Sequence, residues 1–263
     1  MKDLTKTEVK INSKMGKAIS DYDLIRNGDR ILVAVSGGKD SLAMLYMLKK
    51  IQSWAPVKFK LYAAHITTDF TCSTCVTPEK MQKIFKSLDL EYFFSHVNVL
   101  DNKNETSCFW CSWNKRKALF ELAEKNFCNK LAFGHHKDDI VETVLLNLLF
   151  KGEISAINPR QELFSGKLTL IRPLCYVEEK LTRIYAKEKN FPQQVCDCPF
   201  GQKSKRKAVK DIISEIERKT PGTNIKTNVM NSVTRIKQDY IDIKKESSSD
   251  GWPELSGSGS ISK

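Results

Sequence analysis

The fold of this chain is decided between residues 31 and 41, by the sequence Ile31-Leu32-Val33-Ala34-Val35-Ser36-Gly37-Gly38-Lys39-Asp40-Ser41. The first five residues are apolar and mostly β-branched, which predicts a buried strand. Residues 41–51 then have the apolar spacing of a helix. Between them, two adjacent glycines let backbone amides approach an oxyanion, and the helix N-terminus adds a favourable dipole. The stretch therefore predicts a strand, a phosphate-binding loop and a helix in succession.

The same alternation of strand and helix continues along the chain. Four more apolar runs predict strands, at residues 59–66, 92–97, 131–133 and 168–171, and segments of helical spacing lie between them. Strands joined by crossover helices form a parallel sheet covered on both faces. We therefore expect an α/β fold with a parallel five-stranded sheet and helices on both faces.

The character of the sequence changes after Pro173. Three segments there predict helices, namely residues 177–189, 204–219 and 224–243, and the last eighteen residues are rich in Ser and Gly. We expect three parts: an α/β domain with an N-terminal helix over residues 1–175, a helical extension over 176–245, and a flexible tail over 246–263.

The net charge and the cysteine content indicate what kind of partner the protein binds and what its thiols do. The net charge of +12 favours a polyanionic partner such as nucleic acid, although a basic surface without a partner is the alternative. The start is polar, unlike a signal peptide, and no window is apolar enough to span a membrane. We therefore expect a cytoplasmic protein without membrane partners. In that compartment the eight cysteines are more often metal ligands or redox groups than disulfides.

The glycine loop is a specific signal. Its spacing fits neither the Walker A pattern nor the dinucleotide pattern of three spaced glycines. Lys39 supplies a mobile positive charge, and Ser36 and Ser41 supply hydroxyls. The hexapeptide resembles the PP-loop of the ATP pyrophosphatase superfamily. That resemblance implies a HUP-like PP-loop fold with the fourth strand beside the first, and cleavage of ATP to pyrophosphate and AMP, with AMP transferred to a carbonyl oxygen.

A second motif, Gly134-His135-His136-Lys137-Asp138-Asp139, follows the fourth predicted strand and would then face the PP-loop. We expect Asp40 and Asp138 to act in catalysis and Asp139 to be a candidate Mg²⁺ ligand. The alternatives are that Asp138 only caps the next helix and that His136 only braces the strand end. The predicted ATP-binding residues are Ser36, Gly37, Gly38, Lys39, Asp40, Ser41, Gly134 and His135.

Two cysteine motifs add a second chemistry. Cys108-Phe109-Trp110-Cys111 opens a predicted helix, and Cys196-Asp197-Cys198 lies far from it in the sequence. Two thiols at the first spacing can chelate a metal, share a cluster or form a redox pair. Together the two motifs could supply three thiolates to one iron–sulfur cluster. Two unrelated structural motifs are the alternative.

All these motifs together, with Ile171-Arg172-Pro173-Leu174, are similar to the tRNA 2-thiocytidine biosynthesis (TtcA-like) family over residues 17–240. The resemblance implies a [4Fe-4S] cluster on three cysteines and thiolation of cytidine 32 in tRNA numbering. It implies Cys108 and Cys111 as catalytic cysteines and cluster ligands. The third ligand departs from the family pattern, because the spacing is Cys-x-Cys instead of Cys-x-x-Cys. Cys198 is preferred, with Cys196 as the alternative.

The remaining cysteines carry weaker signals. Cys72 and Cys75 could join Cys108 and Cys111 in a zinc site, or could be buried thiols or an auxiliary sulfur-handling pair. Cys128 and Cys175 lie in apolar segments and are expected in the core.

Basic residues adjoin both cysteine motifs. Lys115, Arg116, Lys205 and Arg206 are the predicted tRNA-binding residues, and solvated helix faces are the alternative. For Trp110, packing in the core is favoured over stacking on a base.

The sequence thus predicts an ATP-dependent tRNA sulfurtransferase that uses ATP, Mg²⁺ and a [4Fe-4S] cluster. Its expected partners are tRNA and a sulfur donor of the cysteine-desulfurase type, and whether it works as a homodimer stays open. The alternatives are a tRNA 2-thiouridine synthetase, another adenylating tRNA-modifying enzyme such as lysidine synthetase, or a non-catalytic metal-containing RNA-binding protein.

Overall fold

The computed structural model describes residues 4–70, 76–102, 105–192 and 205–240. Its strands are β1 (Arg30–Ala34), β2 (Lys60–Thr68), β3 (Glu91–Val97), β4 (Lys130–Ala132), β5 (Arg160–Leu163) and β6 (Leu168–Ile171). Its helices are α1 (Lys6–Asp21), α2 (Lys39–Trp54), α3 (Pro78–Ser87), α4 (Cys108–Lys125), α5 (Lys137–Lys151), α6 (Glu179–Glu188), α7 (Lys205–Lys219) and α8 (Ile225–Ser232). A short 3₁₀ turn follows at Gln238–Tyr240.

The strands form one six-stranded sheet in the order β3-β2-β1-β4-β6-β5. All neighbours are parallel except β5, which runs antiparallel to β6. The predicted α/β class and parallel sheet are confirmed, but the predicted count of five strands is one too few. The missed strand, Arg160-Gln161-Glu162-Leu163, is mostly polar. An edge strand pairs on one side only and needs no apolar run, so its sequence carries no strand signal.

The fourth strand lies beside the first, as the PP-loop resemblance implies. Leu32 is in register with Leu131, and Val33 with Ala132. From β1 the chain continues to β2, which pairs with one edge of β1, while β4 pairs with the other edge of β1. Where neighbouring strands send their connections in opposite directions, a crevice opens at their carboxyl ends. The fold therefore creates a crevice at the ends of β1 and β4.

Side chains of β1 alternate between two buried clusters. Ile31 and Val33 belong to a large cluster with helix α2, whereas Leu32 packs with Leu119 and Ala123 of α4 on the opposite face. This alternation is the period of a strand buried on both faces. Helix α4 packs against β2, β3 and β4. Because α4 is the next element after β3 along the chain, its N-terminus lies near the carboxyl edge of the sheet.

The C-terminal helices share the main core. α6 packs on α1 and α2, and α7 and α8 pack on α5. The helix predicted over residues 224–243 is wrong in extent, because α8 ends at Ser232. There the hydroxyls of Ser232 and Thr234 bond to the carbonyls of Val229 and Asn231 and compete with the helical pattern. The division into parts stays a prediction, and the tail expected over residues 246–263 lies outside the described residues.

Candidate active site

The glycine loop is held by its own serines. The hydroxyls of Ser36 and Ser41 lie 3.2 Å apart, Gly38 N donates to Ser36 Oγ at 3.3 Å, and Ser41 Oγ donates to the Gly38 carbonyl at 2.9 Å. Gly37 has φ of +92°, a conformation that side chains disfavour. α2 starts directly after Gly38, which has no side chain to cap the helix. The first amides of α2 are therefore suited to bind an oxyanion.

Gly134 lets the end of β4 touch this loop. A Cβ atom at Gly134 would lie 3.0 Å from Ser41 N and 3.1 Å from Ser41 Cα. Both are backbone atoms at the start of α2, which cannot move aside as a flexible side chain would. Close packing against Ser41 therefore favours glycine at position 134, which is also a predicted ATP-binding position.

A cavity of about 820 Å³ lies at the crevice between β1 and β4 and reaches the start of α4. It brings together motifs that are distant in the sequence. Its lining includes ten of the predicted site residues: Ser36, Gly38, Asp40, Ser41, Gly134, His135, Cys108, Cys111, Lys115 and Arg116. The phosphate-binding loop and the Cys-x-x-Cys motif therefore share one cavity.

The two cysteines lie in the first turn of α4. Ser107 caps this helix, its Oγ accepting from Trp110 N at 3.1 Å and its carbonyl accepting from Cys111 N at 2.9 Å. Residues three apart on a helix lie on the same side, so Cys108 and Cys111 both line the cavity. Cys108 is exposed and Cys111 half-buried. This pair of accessible sulfur donors fits a thiolate-bound metal or cluster.

The remaining cysteines lie either outside the described residues or in the core. Cys196 and Cys198, and also Cys72 and Cys75, lie outside the described residues. Within the described residues, no three side chains of His, Cys, Asp or Glu converge as a metal site. Cys128 and Cys175 are buried, as expected for core residues.

Lys39 points to α6. Its Nζ lies 2.9 Å from Asp40 Oδ2 and 3.0 Å from Glu179 Oε1. Burial would lower the pKa of Lys39, but hydrogen bonds and charge from the two carboxylates outweigh it and raise the pKa. Burial likewise opposes ionisation of Glu179, yet Lys39 lowers the pKa of Glu179 to about 2. The Thr182 hydroxyl also donates to Asp40 Oδ1. No motif singled out Glu179 or Thr182, because nothing local to α6 reveals its contact with the loop.

The two histidines have different positions. His136 Nδ1 accepts from Asp139 N at 3.3 Å, and Asp139 Oδ2 accepts from His136 N at 3.0 Å, a reciprocal cap at the start of α5. His136 therefore caps α5, a role that differs from the bracing of the strand end given above as the alternative. His135 lines the cavity, and its buried Nδ1 has no hydrogen-bond partner among the described residues. Burial, followed by the nearby charge of Arg172, lowers the pKa of His135 to about 4. Its imidazole is therefore neutral at pH 7.

Asp138 does not line the cavity. Its Oδ2 accepts from Glu179 N at 2.7 Å, and its Oδ1 lies 2.9 Å from Lys226 Nζ. These bonds join α5 to α6 and α8. Burial would raise the pKa of Asp138, but the Lys226 ammonium and the Glu179 amide hold it below its ordinary value. The geometry thus gives Asp138 a bracing role, and its predicted part in catalysis stays a prediction.

The four predicted tRNA-binding residues fall into two pairs. Lys115 and Arg116 line the cavity. Arg206 Nη1 instead lies 3.3 Å from Asp139 Oδ1, and Lys205 Nζ lies 5.0 Å from the ring centroid of Phe150. Arg206 and Lys205 therefore hold the start of α7 against α5, and Asp139 is engaged by protein groups on both oxygens. Trp110, expected in the core, is 50% exposed, so that expectation is wrong.

A switch-point cavity with this glycine loop at one end defines a nucleotide-binding protein of the PP-loop class. The family model of the PP-loop domain matches residues 7–197. The tRNA-cytidine(32) 2-sulfurtransferase of Geobacter sulfurreducens is 36% identical, over 88% of this chain and 91% of its own length. The enzyme of that name from Citrifermentans bemidjiense is 38% identical, over 81% and 85%. The chain therefore belongs to the PP-loop family and, within it, to the tRNA-cytidine(32) 2-sulfurtransferase family.

The fold is also that of a solved structure, the U34-tRNA thiolase NcsA from Methanococcus maripaludis with its [4Fe-4S] cluster. The TM-score is 0.69, with 22% sequence identity over 90% of this chain and 80% of that one. At this identity the likeness concerns the fold. In the described part of the chain, none of the helices combines the length and apolar character needed to cross a membrane.

Proposed function

We propose that this chain is an ATP-dependent tRNA sulfurtransferase that converts cytidine 32 of tRNA into 2-thiocytidine. The observation that carries the proposal is the shared cavity: the phosphate-binding loop and Cys108–Cys111 line the same space. An activated base held in that space lies between the site of its activation and a source of sulfur. The substrate is taken from the names of relatives that match most of the chain.

The loop performs the activation. Backbone amides of the first turn of α2 bind the phosphates of ATP, and Lys39 exchanges its carboxylate partners for oxygens of the departing pyrophosphate. The cytosine C2 oxygen attacks the α-phosphorus while the bond to the β-phosphate oxygen breaks, which releases pyrophosphate. The C2 carbon then carries an adenylate. A sulfur nucleophile adds to C2, and AMP leaves with the former carbonyl oxygen.

The cysteines hold the sulfur-bearing group. Cys108 and Cys111, with Cys198 as third ligand and Cys196 as its alternative, would bind a [4Fe-4S] cluster, which supplies the sulfur nucleophile when bound. Three protein ligands leave one iron without a protein ligand. A donor of the cysteine-desulfurase type and a cytoplasmic location, where thiols stay reduced, belong to the same proposal.

The remaining cavity residues orient the substrates. Among the described residues, Asp40 is the acidic side chain that lines the cavity, so we assign the contact with ATP-bound Mg²⁺ to Asp40 in preference to Asp139. Lys115 and Arg116 attract RNA phosphates to the entrance. The neutral imidazole of His135 offers a hydrogen bond to a bound substrate.

The test is a reaction with the cluster-loaded full chain, ATP, Mg²⁺, sulfide and a tRNA transcript. We expect AMP and pyrophosphate in equal amounts, and 2-thiocytidine by mass spectrometry of the digested tRNA. A matched transcript with uridine at position 32 should give no 2-thiocytidine. Absence of AMP and pyrophosphate with every tRNA tested would overturn the proposal, and formation of 2-thiouridine would change the assigned base.

A further inference from the structure

Phe109 is a large apolar side chain in an unusual position. It is 77% exposed, although it lies between two cysteines that line the cavity. Phenylalanine is normally among the more buried residues, and single exposed ones need no explanation by themselves. Phe109 needs an explanation because it lies in the first turn of α4, next to cysteines that line the cavity.

The geometry of α4 shows where Phe109 lies relative to the cavity. Each residue turns an α-helix by about 100°. The cavity-lining positions of α4 form one face, composed of Cys108, Cys111, Ser112, Lys115, Arg116 and Leu119. Phe109 lies at the edge of that face, on the flank that carries Arg116. Trp110 is a further 100° round, on the side away from the cavity.

Basic residues follow Phe109 on the same helix. Lys115 and Arg116 follow within two turns on the cavity face, and the first turn of α4 contains no acidic residue. An exposed aromatic ring beside cations is the arrangement by which proteins bind unpaired nucleotides: the ring stacks on a base and the cations meet phosphates. The charges therefore favour single-stranded RNA as the occupant.

We propose that Phe109 stacks on an unpaired base of the tRNA loop at the mouth of the cavity, while Lys115 and Arg116 contact the phosphates beside it. This inference rests on the proposed function and deepens it, because it names a residue that contacts an unpaired base of the tRNA loop. A target base can reach the cavity only after it leaves the stack of its neighbours. Phe109 replaces part of the stacking lost in that step.

The experiment measures binding of a fluorescent tRNA to the cluster-loaded full chain in the presence of a non-hydrolysable ATP analogue. Removing one base–aromatic stack should weaken the affinity of Phe109→Ala for tRNA about tenfold. Phe109→Tyr, which keeps the ring, should stay within about twofold of the wild type. Phe127→Ala is the matched control, since Phe127 is 82% exposed just beyond the other end of α4.

Further measurements separate stacking from other roles. Iron content, urea unfolding and affinity for the ATP analogue should be unchanged in Phe109→Ala. Equal tRNA affinity of Phe109→Ala and wild type overturns the inference. It is also overturned if Phe109→Ala binds tRNA normally and fails only with a protein sulfur donor, since the ring would then contact the donor. If the wild type itself neither binds nor modifies tRNA, the proposed function has failed instead.

Discussion

Lys39 Nζ lies 3.0 Å from Oε1 of Glu179, so the lysine of the phosphate-binding loop is paired with the first turn of α6. A lysine held by carboxylates must exchange them for phosphate oxygens when ATP binds. Glu179 therefore competes with ATP for the charge of Lys39, and the strength of that competition can be measured.

Glu179→Gln should tighten binding of a non-hydrolysable ATP analogue by roughly threefold, since the pair is partly solvated and worth well under 1.5 kcal/mol. Isothermal titration calorimetry measures the change. Glu215→Gln, which removes the partner of Arg218 on α7, is the matched control and should have no effect. Weaker binding in Glu179→Gln would show instead that Glu179 positions Lys39 for the phosphates.

Gly134→Ala should destabilise the protein and weaken ATP binding. The new methyl group would meet backbone atoms of Ser41 at 3.0 and 3.1 Å, and such overpacking costs about 1–3 kcal/mol. Urea unfolding gives the change in stability. The control is Gly16→Ala inside α1, where nothing lies within 4 Å; there the same substitution should stabilise the protein by up to about 1 kcal/mol.

In Glu8→Gln the free energy of unfolding should depend less on pH, in the acid range, than it does in the wild type. Burial would raise the pKa of Glu8, but bonds from Lys50, Thr5 and Lys189 lower it to about 2 from the ordinary 4.5. A lowered carboxylate pKa stabilises the fold above about pH 4.5, and that stabilisation is lost as the pH falls towards 2.

At pH 7, Glu8→Gln should lower the free energy of unfolding by about 2–3 kcal/mol, and the difference from wild type should shrink between pH 4.5 and 2.5. Urea titrations across this range measure it. Glu121→Gln, at an exposed position of α4, is the control. A difference that stays constant across the range would assign the effect to packing.

Cys108→Ser and Cys111→Ser should each lose the iron and sulfide taken up during anaerobic reconstitution. The two cysteine sulfurs in the first turn of α4 are the cavity-lining sulfur donors of the described residues. Iron and sulfide assays with the visible absorbance give the readout. Cys128→Ala changes a buried cysteine outside the cavity lining and should retain the cluster.

The same assay decides the third ligand. Loss of iron in Cys198→Ala and retention in Cys196→Ala is the expected pattern, and the reverse pattern would assign Cys196.

Lys115→Gln should weaken tRNA binding and make it less sensitive to salt. A lysine that contacts one phosphate contributes about one unit to the slope of log affinity against log salt concentration. Binding measured at four salt concentrations gives that slope. Lys125→Gln, at the other end of α4, should leave the slope unchanged. Identical slopes for wild type and Lys115→Gln would remove Lys115 from the RNA interface.

Several features were predictable because they are local. Gly37 and Gly38 between an apolar run and a helix specify the loop, and the spacing of Cys108 and Cys111 places both on one side of a helix. Asp138, Asp139 and Arg206 were harder to assign. A charged residue near a motif can contact a ligand or another part of the protein, and only the partner across the fold distinguishes the two.

By itself, then, the sequence determined the parallel α/β class, the phosphate-binding loop and the set of motifs whose combination is similar to one enzyme family, because short-range patterns encode all three. The tertiary structure decided which motifs share a cavity. It brought Cys108 and Cys111 to the loop, took Asp138 out of the cavity lining, paired Lys39 with Glu179 and left Phe109 exposed. These outcomes depend on β4 lying beside β1 and on α4 packing on the face of the sheet opposite α2. Such long-range packing is set by the whole core, and no segment carries it in its own residues.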